Sequence, residues 1–290
     1  MNHQIQNSSL SVSIATKGAE LQSIINKSTG LEYMWSADPA FWAKKSPVLF
    51  PIVGGLKNDH YTYNGNTYTL GRHGFARDME FTVTEQDESR ITFTLTDNET
   101  TRKNYPFQFN FSVKYTLEQN RVNVSYIVKN TDDKTLLFSV GGHPAFKLPL
   151  VHNTFFEDYY LQFSHVETAG HWPLSPGGQL EDHSVPFINN TNILPLKRPL
   201  FYQDALVFKN LASNSIAILS KKTPNGLRVH FDGFPYLGIW NAKDANFVCI
   251  EPWCGIADSV NATGDLAQKE GINQLQPGHI FERTWGVELF

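Results

Sequence analysis

Apolar and polar residues alternate along most of this chain. Phe109, Phe111, Val113, Tyr115 and Leu117 are separated by polar neighbours, and after Glu118-Gln119-Asn120 the same two-residue period returns at Val122, Val124, Tyr126 and Val128. Successive side chains of a strand point to opposite faces, so this pattern predicts a long antiparallel hairpin with one buried face. Shorter runs of the same kind predict strands at 10–14, 19–26, 31–35, 81–84, 91–96, 205–208, 215–219, 227–231, 236–240, 247–250 and 279–289. Asn64-Gly65, between two β-forming flanks, marks a tight hairpin turn. Asp38-Pro39 reads as an N-cap with proline at the first helical position, predicting one or two helical turns through Ala43. From about 148 to 199 the alternation weakens, leaving strand pieces at 159–163 and 186–188 around a loop at 170–178. There is no internal repeat, and no stretch predicts a longer helix. The expectation is a single all-β domain over 1–290, a large antiparallel β-sandwich with only short helices.

Composition agrees. Of the 290 residues 41% are hydrophobic and only 18% charged, with 21 Phe and 11 Tyr, which suits a sheet-rich protein with a sizeable core. A net charge of -4 without a basic run gives no electrostatic footprint for nucleic acid. The first residues, Met1-Asn2-His3-Gln4, lack the basic and apolar regions of a signal peptide, and no apolar run approaches the ~20 residues of a membrane-spanning helix. Cys249 and Cys254 do not make a disulfide framework, although their spacing does not forbid a bridge. The expectation is a soluble cytoplasmic protein with reduced thiols, monomer or homodimer, with no nucleic-acid or membrane partner.

Candidate chemistry gathers at Gly- and Pro-marked places. Ser139-Val140-Gly141-Gly142-His143-Pro144 ends a strand-like run in two glycines, which permit close backbone approach, and a proline that holds His143 extended. Such a histidine is either a stiffly held proton donor or a hydrogen-bonded core residue. Glu251 follows the apolar run 247–250 directly; it is either a general base raised by partial burial or a salt-bridged carboxylate at a strand end. His73, flanked by Arg72 and Gly74, and Asp204 complete the polar set. Trp253, Phe75 and Trp42 could stack on a sugar ring or belong to the core. There is no His-x-Glu-x-x-His, no Cys-x-x-Cys, no Gly-x-Ser-x-Gly and no phosphate-cradling Gly-rich loop, so neither a metal site nor a serine nucleophile is expected.

Taken together, His-Gly-Phe-Ala-Arg (73–77), Gly-Gly-His-Pro-Ala-Phe (141–146) and Glu-Pro-Trp-Cys-Gly (251–255) resemble the signatures of the aldose 1-epimerase (galactose mutarotase-like) family, in its LacX-type branch. Lys269-x-Gly271 followed by Leu275-x-Pro277-Gly278 also fits. The resemblance runs over nearly the whole chain and implies a large antiparallel β-sandwich that interconverts the α and β anomers of a small-molecule sugar, an aldohexose, without a cofactor. It implies that Glu251 is the general base on the C1 hydroxyl, that His143 is the general acid on the ring oxygen, and that His73 binds the ring oxygen or a nearby hydroxyl. Asp204 matches a hydroxyl-binding aspartate. The arginine that better-known galactose mutarotases use upstream has no direct counterpart; Lys57 is its stand-in.

Ring opening needs one proton removed and one donated together, which a carboxylate and a protonated imidazole on opposite sides of C1–O5 supply near neutral pH. Two alternatives remain. Arg72, Arg77 and Lys57 could bind a phosphate, making the substrate a hexose 6-phosphate, or Arg77 could be a structural ion-pair partner. The fold could also carry a non-catalytic carbohydrate-binding or sensor protein. A glycoside hydrolase would need a second motif-placed carboxylate, and none is found.

Overall fold

The long hairpin forms as its pattern predicts. In the computed structural model, which describes all of residues 1–290, Phe109–Glu118 pairs with Arg121–Asn130 from Arg121 opposite Glu118 to Asn130 opposite Phe109. The apolar positions of both strands face inward and are buried. This hairpin lies within a nine-stranded antiparallel sheet ordered Val185–Pro195, Tyr159–His171, Ser215–Ser220, Thr223–His230, Ile280–Leu289, Arg121–Asn130, Phe109–Glu118, Arg90–Thr96, Thr82–Gln86. A second sheet runs Leu206–Lys209, Tyr236–Trp240, Phe247–Cys254, Val140–Gly142, Val48–Leu49, and Ala145–Lys147 also pairs with Phe247–Cys254. Asn2–Gln6, Leu10–Ala15 and Leu21–Asn26 form a separate three-stranded sheet. One cluster of 62 buried residues draws on the chain from Ile5 to Leu289. The architecture is the all-β, antiparallel one expected, and the one α-helix, Glu99–Asn104, is short and capped by the Asn98 side chain.

The strand Phe247–Cys254 organises the second sheet. All eight of its residues are buried, so both faces are covered and no alternation is visible in its sequence. Val248, Ile250 and Cys254 belong to the main core, while Cys249 and Trp253 pack in the two smaller clusters on the other face. Glu251 shares that second face by the two-residue period. It therefore lies inside the strand, not at its end. The two cysteines have opposite-face positions and both are free.

Three local expectations fail, each for a physical reason. Residues 31–35 make only isolated bridges, Ile25 to Glu32 and Met34 to Phe146. The Glu32 carboxylate replaces the ladder there, accepting the backbone N–H groups of Ile24 and Met34 at 2.9 and 2.8 Å. Asp38 accepts the Ala40 N–H on its side chain at 2.9 Å, and its carbonyl accepts those of Phe41 and Trp42. The chain turns once without propagating a helix, as the cost of nucleation dictates for so short a stretch. Between 148 and 199 the strands are longer than predicted, Tyr159–His171 and Val185–Pro195. Register shifts within this pair break the two-residue period that would have revealed it.

Candidate active site

His143 occupies a gap between two strands that hold one register. Val140 and Gly141 pair with Cys254 and Trp253; then pairing lapses, and Ala145, Phe146 and Lys147 pair with Cys249, Val248 and Phe247 in the same register. That register sets His143 directly opposite Glu251. Pro252 on one strand and Pro144 on the other have no N–H to give the ladder, and they flank the lapse. His143 Nε2 lies 3.3 Å from Glu251 Oε2.

The glycines beside His143 are explained by what crosses them. A Cβ on Gly141 would lie 2.6 Å from the Trp253 ring, and one on Gly238, across the other edge of the strand, 2.4 Å from it. The indole thus lies flat over both positions. A Cβ on Gly142 would meet the Tyr126 hydroxyl at 2.7 Å on the opposite side. The motif is a strip thin enough for the indole to pass on one side and the core to close on the other.

Around this pair opens a cavity of about 480 Å³, in the range of small-molecule sites. His143, Glu251, His73, Asp204, Arg72, Arg77 and Trp253 all line it. Lys57 does not: its N–H donates to Asp258 and its ammonium reaches the Ala262 carbonyl at 3.5 Å, so the proposed stand-in for an arginine lies outside the cavity. Phe75 packs against the main core beside Phe50 and Tyr105. Trp42, Trp240, Asn241 and Lys243 also line the cavity. Only Trp42 among these four carries a sequence signal, as a candidate stacking aromatic; Trp240 is placed by its register opposite Cys249, which no motif marks.

His143 is held by aromatic rings. Trp42 stacks on it at 4.9 Å between centroids and 29° between planes; Trp240 meets it edge-on at 5.4 Å and His73 at 5.7 Å. His73 has a left-handed backbone (φ 70°), held by reciprocal bonds: its N–H donates to the Gly54 carbonyl, and the Gly54 N–H donates to its Nδ1 at 3.1 Å. An accepting Nδ1 leaves Nε2–H as the donor. Asp204 is also left-handed (φ 89°); its side chain accepts the Ala205 N–H at 2.8 Å and approaches Arg72 at 3.5 Å. Two strained non-glycine residues on one cavity wall fit a functional site. Arg77 donates to the Arg72 carbonyl at 2.9 Å and lies 3.6 Å from Asp78, which makes it a brace for the loop.

The electrostatics set the protonation state. Glu251 is 1% exposed, and its carboxyl makes no hydrogen bond within the protein; burial drives its pKa well above the ordinary value, with Asp204 adding to the rise and Arg72 opposing it. The Trp253 indole N–H next to it is buried without an aligned partner and favours the ionised form only weakly. Burial lowers His143 from 6.5 to about 3, and Arg72 and Arg77 push the same way. Burial likewise holds His73 well below 6.5. Both shifts disfavour the charged forms, so burial favours a carboxylic acid beside a neutral imidazole, with the titrating proton on Glu251, over the carboxylate and imidazolium that the chemistry alone suggested.

The chain is similar to known proteins over its whole length. The protein LacX encoded on the chromosome of Lactococcus lactis subsp. lactis is 36% identical over 299 residues, covering 100% of this chain and 99% of the relative. A galactose mutarotase related enzyme from Lactobacillus acidophilus superposes with a TM-score of 0.95 at 41% identity, covering 100% of this chain and 97% of the other. A galactose mutarotase-like protein from Lactobacillus casei gives 0.92 at 32% identity, with both chains fully covered. Residues 1–284 match the aldose 1-epimerase family, and the chain belongs to that family.

Proposed function

We propose that the protein is an aldose 1-epimerase that interconverts the anomers of a free aldohexose, with Glu251 and His143 as its acid/base pair. The observation that carries this is the placement of the two groups: opposite each other in one register, 3.3 Å apart, on the floor of a sugar-sized cavity. With a sugar bound, the single proton passes from Glu251 to His143, giving carboxylate and imidazolium. Glu251 then takes the proton of the C1 hydroxyl as His143 gives its own to the ring oxygen. The C1–O5 bond breaks, the C1 carbonyl forms, and the pair returns to its neutral state. Rotation about C1–C2 presents the other carbonyl face, and the same steps in reverse close the ring. Trp42, stacked on His143, supports the transient imidazolium through its π face. His73 offers its Nε2–H, and Asp204 with Arg72 offers an acceptor and a donor to sugar hydroxyls.

Polarimetry or anomeric-exchange NMR of freshly dissolved α-glucose and α-galactose tests the proposal. Acceleration over buffer that is lost in Glu251→Gln is expected; no acceleration for any aldose would refute it and favour a sugar-binding role. Arg72 and Lys243 on the cavity wall support a second version in which the sugar is phosphorylated. Asp204 beside Arg72 counts against it, since a carboxylate there opposes an incoming phosphate. A rate on glucose 6-phosphate well above that on glucose would reverse this preference.

A further inference from the structure

One buried residue beside the acid/base pair, outside the cavity lining, has no part in anomer exchange. Cys249 lies two positions before Glu251, so its thiol shares the face of the carboxyl. The donor atoms of His143, Cys249 and Glu251 all lie within 4.8 Å of one another. No local motif announces this, because two donors come from alternate positions of one strand and the third from the gap between the two strands opposite. Two ligands on a tetrahedral ion with bonds near 2.1 Å stand about 3.4 Å apart, which the 3.3 Å between His143 Nε2 and Glu251 Oε2 already matches. Nitrogen, sulfur and oxygen donors suit borderline to soft divalent cations and disfavour magnesium and calcium.

We propose that His143, Cys249 and Glu251 form a three-donor site for a divalent cation of the zinc class, and that occupancy shuts off the acid/base pair. A cation bound by a thiolate, a carboxylate and a neutral imidazole gives a complex of zero net charge, the state a buried pocket tolerates best. The thiol and carboxyl protons leave to solvent as it binds. His143 and Glu251 line the cavity, so a water or a sugar hydroxyl from that side would supply the fourth ligand. A cation there ties up the proton donor and the proton acceptor at once, so metal and turnover exclude each other.

Cadmium provides a direct readout, because a cadmium thiolate absorbs in the ultraviolet. Titration of the reduced protein with cadmium should raise this band to a plateau at one equivalent per chain. Cys254 is the only other thiol; Cys254→Ser should keep the band and Cys249→Ser should lose it. Zinc should slow anomer exchange by wild type about tenfold or more, since it removes general acid/base catalysis typically contributing ~10²–10⁴-fold, and should leave Cys249→Ser active. No band in wild type, a band that survives in Cys249→Ser, or equal zinc inhibition of both proteins would overturn the proposal. If Cys249→Ser does not fold, the wild-type and Cys254→Ser spectra decide by themselves. The absorbance needs no turnover, so a chain that binds cadmium at Cys249 but exchanges no anomers would refute the epimerase proposal and leave the metal site standing.

Discussion

His143→Gln removes a titrating group and keeps a polar side chain of similar reach, which makes it a test of the protonation state inferred for the free site. The ordinary histidine value is 6.5, and burial takes His143 to about 3. In the unfolded chain the residue gains its proton as pH falls through 6.5, while the folded chain resists until about 3. The unfolded state therefore binds more protons across this window, and stability is lost as pH falls through it. Integrated from pH 7 to pH 5, the linkage amounts to about 2 kcal/mol. Glu251 and His73 titrate in both proteins and largely cancel from the difference. Urea unfolding of wild type and His143→Gln at the two pH values reads it directly: wild type should lose about 2 kcal/mol more than the variant. Equal losses would mean that His143 is already charged or open to water in the free site, and the assignment of the resting proton to Glu251 would fall with it.

Three further outcomes follow from the geometry. Glu251→Gln should reduce anomer exchange by ~10²–10⁴-fold in the NMR assay; because burial raises the carboxyl above its ordinary 4.5, wild-type stability is lost as pH rises from there, so the melting temperature of the variant should gain on wild type with increasing pH. Gly238→Ala sets a Cβ 2.4 Å from the Trp253 ring and should cost about 1–3 kcal/mol in denaturant unfolding, with a raised KM as the indole shifts into the cavity. Lys57→Ala should leave exchange at the wild-type rate; a large loss would show that Lys57 reaches the sugar after all.

The fold was most legible where one face of a strand is wet. The 109–118 and 121–130 strands alternate because most of their polar neighbours are only partly buried. Phe247–Cys254 is dry on both faces, so its sequence reads as an apolar run that stops at the first charge, and Glu251 looked terminal when it is internal. Glu32 and Asp38 defeated pattern reading in another way, by bonding backbone groups that a strand or helix would have used. Within the site, residues embedded in Gly- or Pro-marked motifs were found: His73, His143, Glu251 and Trp253 all line the cavity. Trp240, Asn241 and Lys243 were missed, because register and a loop place them there and neither leaves a local mark. Cys249 was visible in sequence, but His143 lies in the gap between the two strands opposite, and only their pairing brings the two together.

The same burial that assembles the pair also sets its resting state against its task. Moving His143 from 6.5 to about 3 makes the isolated imidazolium costly by about 5 kcal/mol at its folded position. Stacking on Trp42 returns about 2 kcal/mol, the figure for desolvated cation–π contacts. Neither charge forms readily by itself, so in the proposed reaction carboxylate and imidazolium form together, each as the other's counter-ion across 3.3 Å. A sugar that displaces solvent from the cavity strengthens that mutual attraction by lowering the local dielectric, and its hydroxyls offer the carboxylate the hydrogen bonds that the protein withholds. In the proposed reaction the closed ring with the charged pair and the open chain with the neutral pair are then brought towards balance, which a freely reversible exchange of anomers requires.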